Sequence, residues 1–392
     1  MSDTHFQADY ARVSGLSRKR LALIGFLLLL ELGLGATTIE AAEKAVAAEP
    51  TGRITIAGTH FTVGTNRIWI NGANTPWHVW NEFGGKFDSV WWDNHFQKLH
   101  ENGINATRVW ISCNGETGIN IDPAGHVQGC TPEFWTNLDS LLEIAARRRV
   151  YIDATILSFD HFSYTHANYM RWRRMLLNET NIDSMVTNYV VPFVVRYRAN
   201  PWLWSIDLCN EPDWIHEQER CGKMDWGPFQ VYVAKAAAAI HAHSHVLVTV
   251  GITMGAKYLA RPPGTNIFAD ATLQALAHAE PGARLDFYSP HYYDWEKPIG
   301  GNPFYMSPSD YPISPGKPIV IGECPAKGTA QHSITADYKG AFNHGWQGVM
   351  GWTSNGVDRN GSLENLAPAT RTIYSEHPDL VFPKTPVVKI AN

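Results

Sequence analysis

Eight short apolar runs, rich in β-branched and aromatic residues, recur along this chain, and stretches of helical periodicity lie between them. They are "RIWINGAN" from Arg67, "ATRVWI" from Ala106, "VYIDATIL" from Val150, "LWSIDLCN" from Leu203, "HVLVTVGI" from His245, "LDFYSPHYY" from Leu285, "PIVIGE" from Pro318 and "GVMGWT" from Gly348. Each suits a buried parallel strand, which is covered on both faces and so need not alternate apolar with polar residues. The segments between them, such as "VWWDNHFQKLHENG", "PEFWTNLDSLLEIAARRR", "NIDSMVTNYVVPFVVRYRAN" and "PFQVYVAKAAAAIHAHS", place apolar residues every three to four positions, as an amphipathic helix requires. Only "DWEKPIGGNPFYMSPSDYPISPGK", between the sixth and seventh runs, lacks that signal and reads as a long loop.

Eight strands interleaved with helices, with no Gly-rich phosphate fingerprint, predict the α/β class and a (β/α)8 TIM barrel in preference to a doubly wound sheet. Ahead of it, "RITIAG" and "HFTVGTN" predict a short N-terminal β-hairpin turned at Gly58-Thr59. A chain of 392 residues that is 44% hydrophobic can build one such core, and it shows no second domain, repeat or low-complexity tract.

Residues 1–47 read as a leader. Arg18-Lys19-Arg20 precedes "LALIGFLLLLELGLGA", and Ala45-Val46-Ala47 offers a cleavage pattern before Ala48. The apolar run is short for a membrane span and is interrupted by Glu31, so a cleaved signal peptide is expected, with a retained anchor as the alternative. Residues 48–392 then form a single secreted domain, extracellular or periplasmic, expected as a monomer. A net charge of −5 leaves no basic footprint for nucleic acid, and no membrane association is expected beyond the leader. Five cysteines fit an oxidising compartment; Cys113 and Cys130, which bracket a Gly-rich loop, are one pairing among several that the sequence leaves open. His241, His243 and His245 span a helix end and a strand, so they share no face for a metal.

In a barrel of this kind the C-terminal ends of the strands converge on one face, so functional residues belong where each run stops. There the second run carries Arg108, the fourth stops in Asn210 and Glu211, and the sixth in His291 and Tyr293. The seventh stops in Glu323 and the eighth in Trp352. Core filling does not explain polar and charged groups at so many strand ends. Trp77 and Trp80 follow the first run, and Trp110, Trp214 and Trp295 follow others. Such flat rings serve packing or stack on the C–H faces of sugars.

The ordered set "NEP", "HYY", "IGE" and "GW" after the fourth, sixth, seventh and eighth strands resembles glycoside hydrolase family 5, a family of retaining (β/α)8 glycosidases that includes cellulases and β-mannanases. The resemblance spans roughly residues 52–380. It implies Glu211 as general acid/base, Glu323 as nucleophile, and Asn210 as the amide that holds a sugar 2-hydroxyl. By the same resemblance Arg108 is a buried cation beside the nucleophile, His291 and Tyr293 orient the carboxylates, and Trp352 lies under the reacting sugar. After the third strand "ATILSFDHF" departs from many relatives, leaving either Asp160 or His161 for a sugar contact.

Glycoside cleavage needs these types of residue. One carboxylic acid protonates the departing oxygen while a second carboxylate attacks the anomeric carbon, and retention requires the two about 5 to 5.5 Å apart. Arg108 and the Tyr293 hydroxyl are expected to favour an ionised Glu323. The expectation is thus a secreted retaining β-glycosidase, endo-acting on a β-1,4-linked mannan or glucan, with no cofactor and no metal. An exo-acting β-glycosidase or transglycosylase on the same barrel, and a catalytically silent carbohydrate-binding barrel, are the alternatives.

Overall fold

The computed structural model describes residues 52–384. The leader expected over residues 1–47 lies outside the described residues. Among the described residues, no helix is long and apolar enough to cross a membrane.

Strands Ile54–Ala57, His60–Val63 and Asn66–Ile68 form a small antiparallel sheet. Its first turn falls at Gly58, whose φ of +63° is open to glycine at no steric cost. The sheet has one strand more than the expected hairpin, because "RIWINGAN" divides at Trp69. Arg67 and Ile68 pair with Thr62 and Phe61, whereas Ile70–Asn74 enters the barrel. The buried side chains of Ile54, Phe61, Val63 and Ile68 close the base of the barrel against Trp204, Phe287, Val320 and Met350. Phe61 meets Trp204 and Phe287 edge-on, with ring centroids 5.4 Å apart in both pairs, a favoured aromatic geometry.

All eight anticipated barrel strands form. They are Ile70–Asn74, Ala106–Trp110, Tyr151–Thr155, Leu203–Asn210, Leu247–Ile252, Ser289–Pro290, Val320–Ile321 and Gly348–Gly351. Each pairs in parallel with its neighbours in sequence order, and the eighth returns to the first through Gly348 opposite Ile70. Parallel bridges between Tyr288 and Ile319 and between His291 and Glu323 join the sixth strand to the seventh. The protein is a (β/α)8 TIM barrel. The fourth strand is buried along its whole length, which is why its run is so apolar.

The helices begin and end where the local chemistry directs. Ser89–Glu101 starts at Asp88, whose carboxylate accepts from the amides of Val90 and Trp91, and Pro132–Arg148 starts at Thr131 with proline in its first turn. The expected single helix "NIDSMVTNYVVPFVVRYRAN" instead passes through a π-helical turn, Val186–Val190, before Val191–Tyr197. Pro192, at the start of that last segment, has no N–H to continue the α ladder, which places the irregularity in the preceding turn. The segment after the sixth strand is likewise not featureless. It folds into the short turns Asp294–Glu296, Lys297–Gly300 and Pro303–Tyr305. The Gly-rich loop after the second strand carries an antiparallel pair, Ile119–Ile121 with Val127–Cys130, and all five cysteines are unbridged.

Candidate active site

At the C-terminal mouth of the barrel lies a cavity of about 590 Å³. Asn210, Glu211, Tyr293, Glu323 and Trp352 line it, together with Trp77, Trp80, Trp110, Trp214, Trp295 and Asp160. Arg108 and His291 are fully buried just behind.

Glu211 is the first residue beyond the fourth strand. Its amide donates to Gly251 O at 2.8 Å, and its φ of +46° is a left-handed conformation that side chains other than glycine seldom adopt. This bend turns the carboxylate into the mouth. There Oε1 accepts from His291 Nδ1 at 2.9 Å and Oε2 from Trp214 Nε1 at 2.9 Å. Glu323 follows the seventh strand, opposite. Its Oε1 accepts from Arg108 Nη1 at 2.7 Å and its Oε2 from the Tyr293 hydroxyl at 2.9 Å. His291 Nδ1 lies 3.5 Å from that same Oε2, so one imidazole spans both carboxylates.

Arg108 is itself held from several sides. Nε and Nη2 donate to Asp207 Oδ2 at 2.9 and 2.6 Å, Nη2 also donates to Asn210 Oδ1 at 2.8 Å, and Nη1 donates to Asn74 Oδ1 at 3.2 Å. A buried guanidinium needs such partners, since an unpaired buried charge is strongly disfavoured. The bond to Asn210 fixes its amide with the oxygen inward and the NH2 group free to serve as a donor.

The charges compete. Burial raises the Glu211 carboxyl, but the His291 hydrogen bond and charge outweigh it, and the group sits below its ordinary value. At Glu323 burial acts first, His291 opposes it and the charge of Glu211 adds to it; Arg108 and Tyr293 pull down without prevailing, so the group sits above its ordinary value. His291 is lowered by burial, yet Glu323 and Glu211 carry it above the usual imidazole value. Arg108 and Tyr293 both favour the ionised Glu323, as expected, and burial beside Glu211 is the larger effect. Glu211, His291 and Glu323 influence one another's protonation and titrate as a coupled group.

Oxygens of Glu211 and Glu323 and a nitrogen of His291 lie within 4.8 Å of one another. A divalent cation bound by these atoms would share Glu323 with the Arg108 guanidinium, which lies 2.7 Å from Oε1, and the two positive charges would repel. The set suits proton transfer and carboxylate attack better than metal binding.

Four indoles, Trp77, Trp80, Trp110 and Trp352, form one wall through mutual ring contacts with centroids 4.7 to 6.3 Å apart. Trp214 and the half-exposed Trp295 form a second pair in the lining, with ring centroids 5.7 Å apart. Of the two residues left open after the third strand, Asp160 lines the cavity and His161 does not. The His161 ring is fully buried, bonded to Ser112 Oγ at 3.0 Å and to Ser158 at 3.1 Å, and packed edge-on to Trp172.

Several site residues escaped the sequence reading. Asp207 carried a signal, being an acid in the middle of a buried strand, where only a buried cation such as Arg108 could balance it. Asp358, whose Oδ2 accepts from Trp352 Nε1 at 3.2 Å, and Asn360 come from a loop with no periodicity to mark them. Phe159 and Thr253 also line the cavity.

No family model matches the chain. It is 24% identical over 342 residues to the mannan endo-1,4-β-mannosidase of Mytilus edulis, covering 80% of this chain and 91% of that protein. It is also 24% identical over 329 residues to the enzyme of the same name from Cryptopygus antarcticus, covering 76% and 84%. The X-ray structure of β-mannanase from Mytilus edulis superposes with a TM-score of 0.73 at 20% identity, covering 83% of this chain and 97% of that one, which establishes the shared barrel. The family 5 resemblance read at the strand ends agrees with these relatives in both sequence and fold.

Proposed function

We propose that this protein is a secreted, retaining, endo-acting β-glycosidase of β-1,4-mannan. Supporting the glycosidase reading above all is one observation: two carboxylates face each other across the barrel mouth with oxygens within 4.8 Å, joined by His291 and flanked by tryptophans. That spacing supports a retaining reading, since it is nearer the ~5 to 5.5 Å of retaining enzymes than the wider separation that holds a water in inverting ones. The choice of mannan rests on the two curated relatives, whose names specify it. Export rests on the leader.

In this mechanism a sugar ring lies over Trp352 with its anomeric carbon at Glu323. Glu323 attacks while Glu211 gives its proton to the departing oxygen, and Glu211 then activates the water that releases the covalent sugar. His291 is placed to supply that proton, 2.9 Å from Glu211 and 3.5 Å from Glu323. As substrate displaces water, the ionised Glu211 loses solvation and takes up that proton, while Glu323 is left ionised against Arg108 and Tyr293. Asn210, oriented by Arg108, offers its NH2 group to the 2-hydroxyl, where the two sugars of mannan and cellulose differ.

The deciding experiment is a screen over mannan, cellulose, β-1,3-glucan and xylan that reads new reducing ends and product sizes. Early oligosaccharides from mannan are expected. Monosaccharide alone would mean exo action, and activity confined to another polymer would overturn the substrate.

A further inference from the structure

His291 has two ring nitrogens, and the mechanism uses one. Nδ1 faces the carboxylates, whereas Nε2 points into the barrel interior, where it has no hydrogen-bond partner although the residue is fully buried. Ser289, two residues earlier on the sixth strand, is also fully buried, and its Oγ has no partner either. The two atoms converge. A β-carbon placed on Gly322 of the seventh strand would stand 2.2 Å from Ser289 Oγ and 3.3 Å from His291 Nε2. On the other side of the ring, a β-carbon on Gly251 of the fifth strand would stand 2.7 Å from Nε2. Glycines on the two neighbouring strands therefore let the imidazole and the hydroxyl come within about 5.5 Å of each other, a span that one bridging water covers. Orphaned buried polar atoms are uncommon, and where they converge an ordered water commonly satisfies them.

We propose that Ser289 Oγ and His291 Nε2 hold one internal water against Gly322, and that through it Ser289 is a positioning residue that keeps the proton of His291 in reach of Glu211. This rests on reading Glu211 and Glu323 as the reacting pair. Nε2–H donates to the water and the water donates to Ser289 Oγ, an arrangement that favours the charged imidazole. Other charges face the ring from every side. Glu211 and Glu323 lie at Nδ1, Arg108 and Asp207 meet the ring beside Gly251, and Asp153 acts through the barrel interior. Arg108 and Asp207 largely neutralise each other through their 2.6 Å contact. The hydrogen bond through Ser289 is thus the contribution that a single conservative substitution removes.

The test is the titration of His291 by NMR in isotope-labelled protein, wild type against Ser289→Ala. The midpoint should fall by about one pH unit in Ser289→Ala, the scale expected for one lost hydrogen bond to the charged form. The alkaline limb of kcat should move by the same amount, with KM changed by no more than about twofold. A high-resolution crystal structure of the wild type should show a water bonded to both atoms. An unchanged titration would overturn the proposal, as would a crystal structure in which Ser289 and His291 bond directly or no water lies between them. If Ser289→Ala does not fold, the wild-type crystal structure decides alone. Because the titration needs no substrate, it also separates this proposal from the assigned activity: a protein that cleaved no glycoside could still show the shift.

Discussion

Arg108, from the second strand, reaches across the barrel to Glu323 beyond the seventh, with Nη1 2.7 Å from Oε1, while its other nitrogens hold Asp207 and Asn210. One guanidinium thus ties the proposed nucleophile to the amide proposed to grip the sugar. Arg108→Ala leaves Asp207 and Glu323 buried without a counter-charge and should cost about 3 to 5 kcal/mol, measured by denaturant unfolding. Arg108→Lys keeps the charge but not the fork, so kcat should fall much further than stability does. Loss of less than about 1 kcal/mol in Arg108→Ala would show that the interior tolerates these acids unpaired.

Glu211 as the acid predicts a dependence on the leaving group. Glu211→Ala should lose roughly a hundredfold or more on polysaccharide but less than about tenfold in the first step on activated aryl glycosides, which need little protonation. Equal losses on both would assign the acid elsewhere.

The pH profile carries the signature of His291. Its pKa is raised from the ordinary imidazole value of 6.5, so the proton required for cleavage is present below that raised value and is lost as pH rises through it. The alkaline limb of kcat should therefore lie above pH 6.5, and His291→Asn should remove it. A limb at or below the ordinary value in the wild type would break the link between His291 and Glu211.

Glu296, buried beneath Tyr293 with Oε1 accepting that residue's amide at 3.0 Å, has its pKa raised from 4.5 to about 10, chiefly by burial. A carboxyl raised on folding stabilises fully below its unfolded value and loses that contribution as pH rises toward the folded one. Between pH 4.5 and about 10 the wild type should thus lose up to ~1.4 kcal/mol per pH unit from this group. Glu296→Gln should flatten that slope and raise Tm at pH 8. An unchanged slope would mean that the carboxyl is ionised in place.

The barrel was legible in the sequence because buried parallel strands leave continuous apolar runs, and the site was legible because those runs stop in charge. Asn210, Glu211 and Glu323 were readable on that ground alone. Other features depended on tertiary context. Pro192 fell inside a segment whose periodicity read as one unbroken helix. Asp358 reaches Trp352 from an aperiodic loop, and the turn that buries His161 and puts Asp160 at the cavity is held by Ser112, 49 residues earlier, and by Trp172. Asp207 differs again: it lies inside a run that reads as apolar, and its role shows only once the fold brings Arg108 against it at 2.6 Å.

The most direct measurement is trapping with an activated 2-deoxy-2-fluoro-β-mannoside, followed by proteolysis and mass spectrometry of the labelled peptide. Fluorine at C2 slows release of the covalent intermediate, so one fluoro-sugar should accumulate per protein, attached to the Glu323 carboxylate. A label on another residue, or steady turnover with inverted anomeric configuration and no label, would contradict Glu323 as the nucleophile.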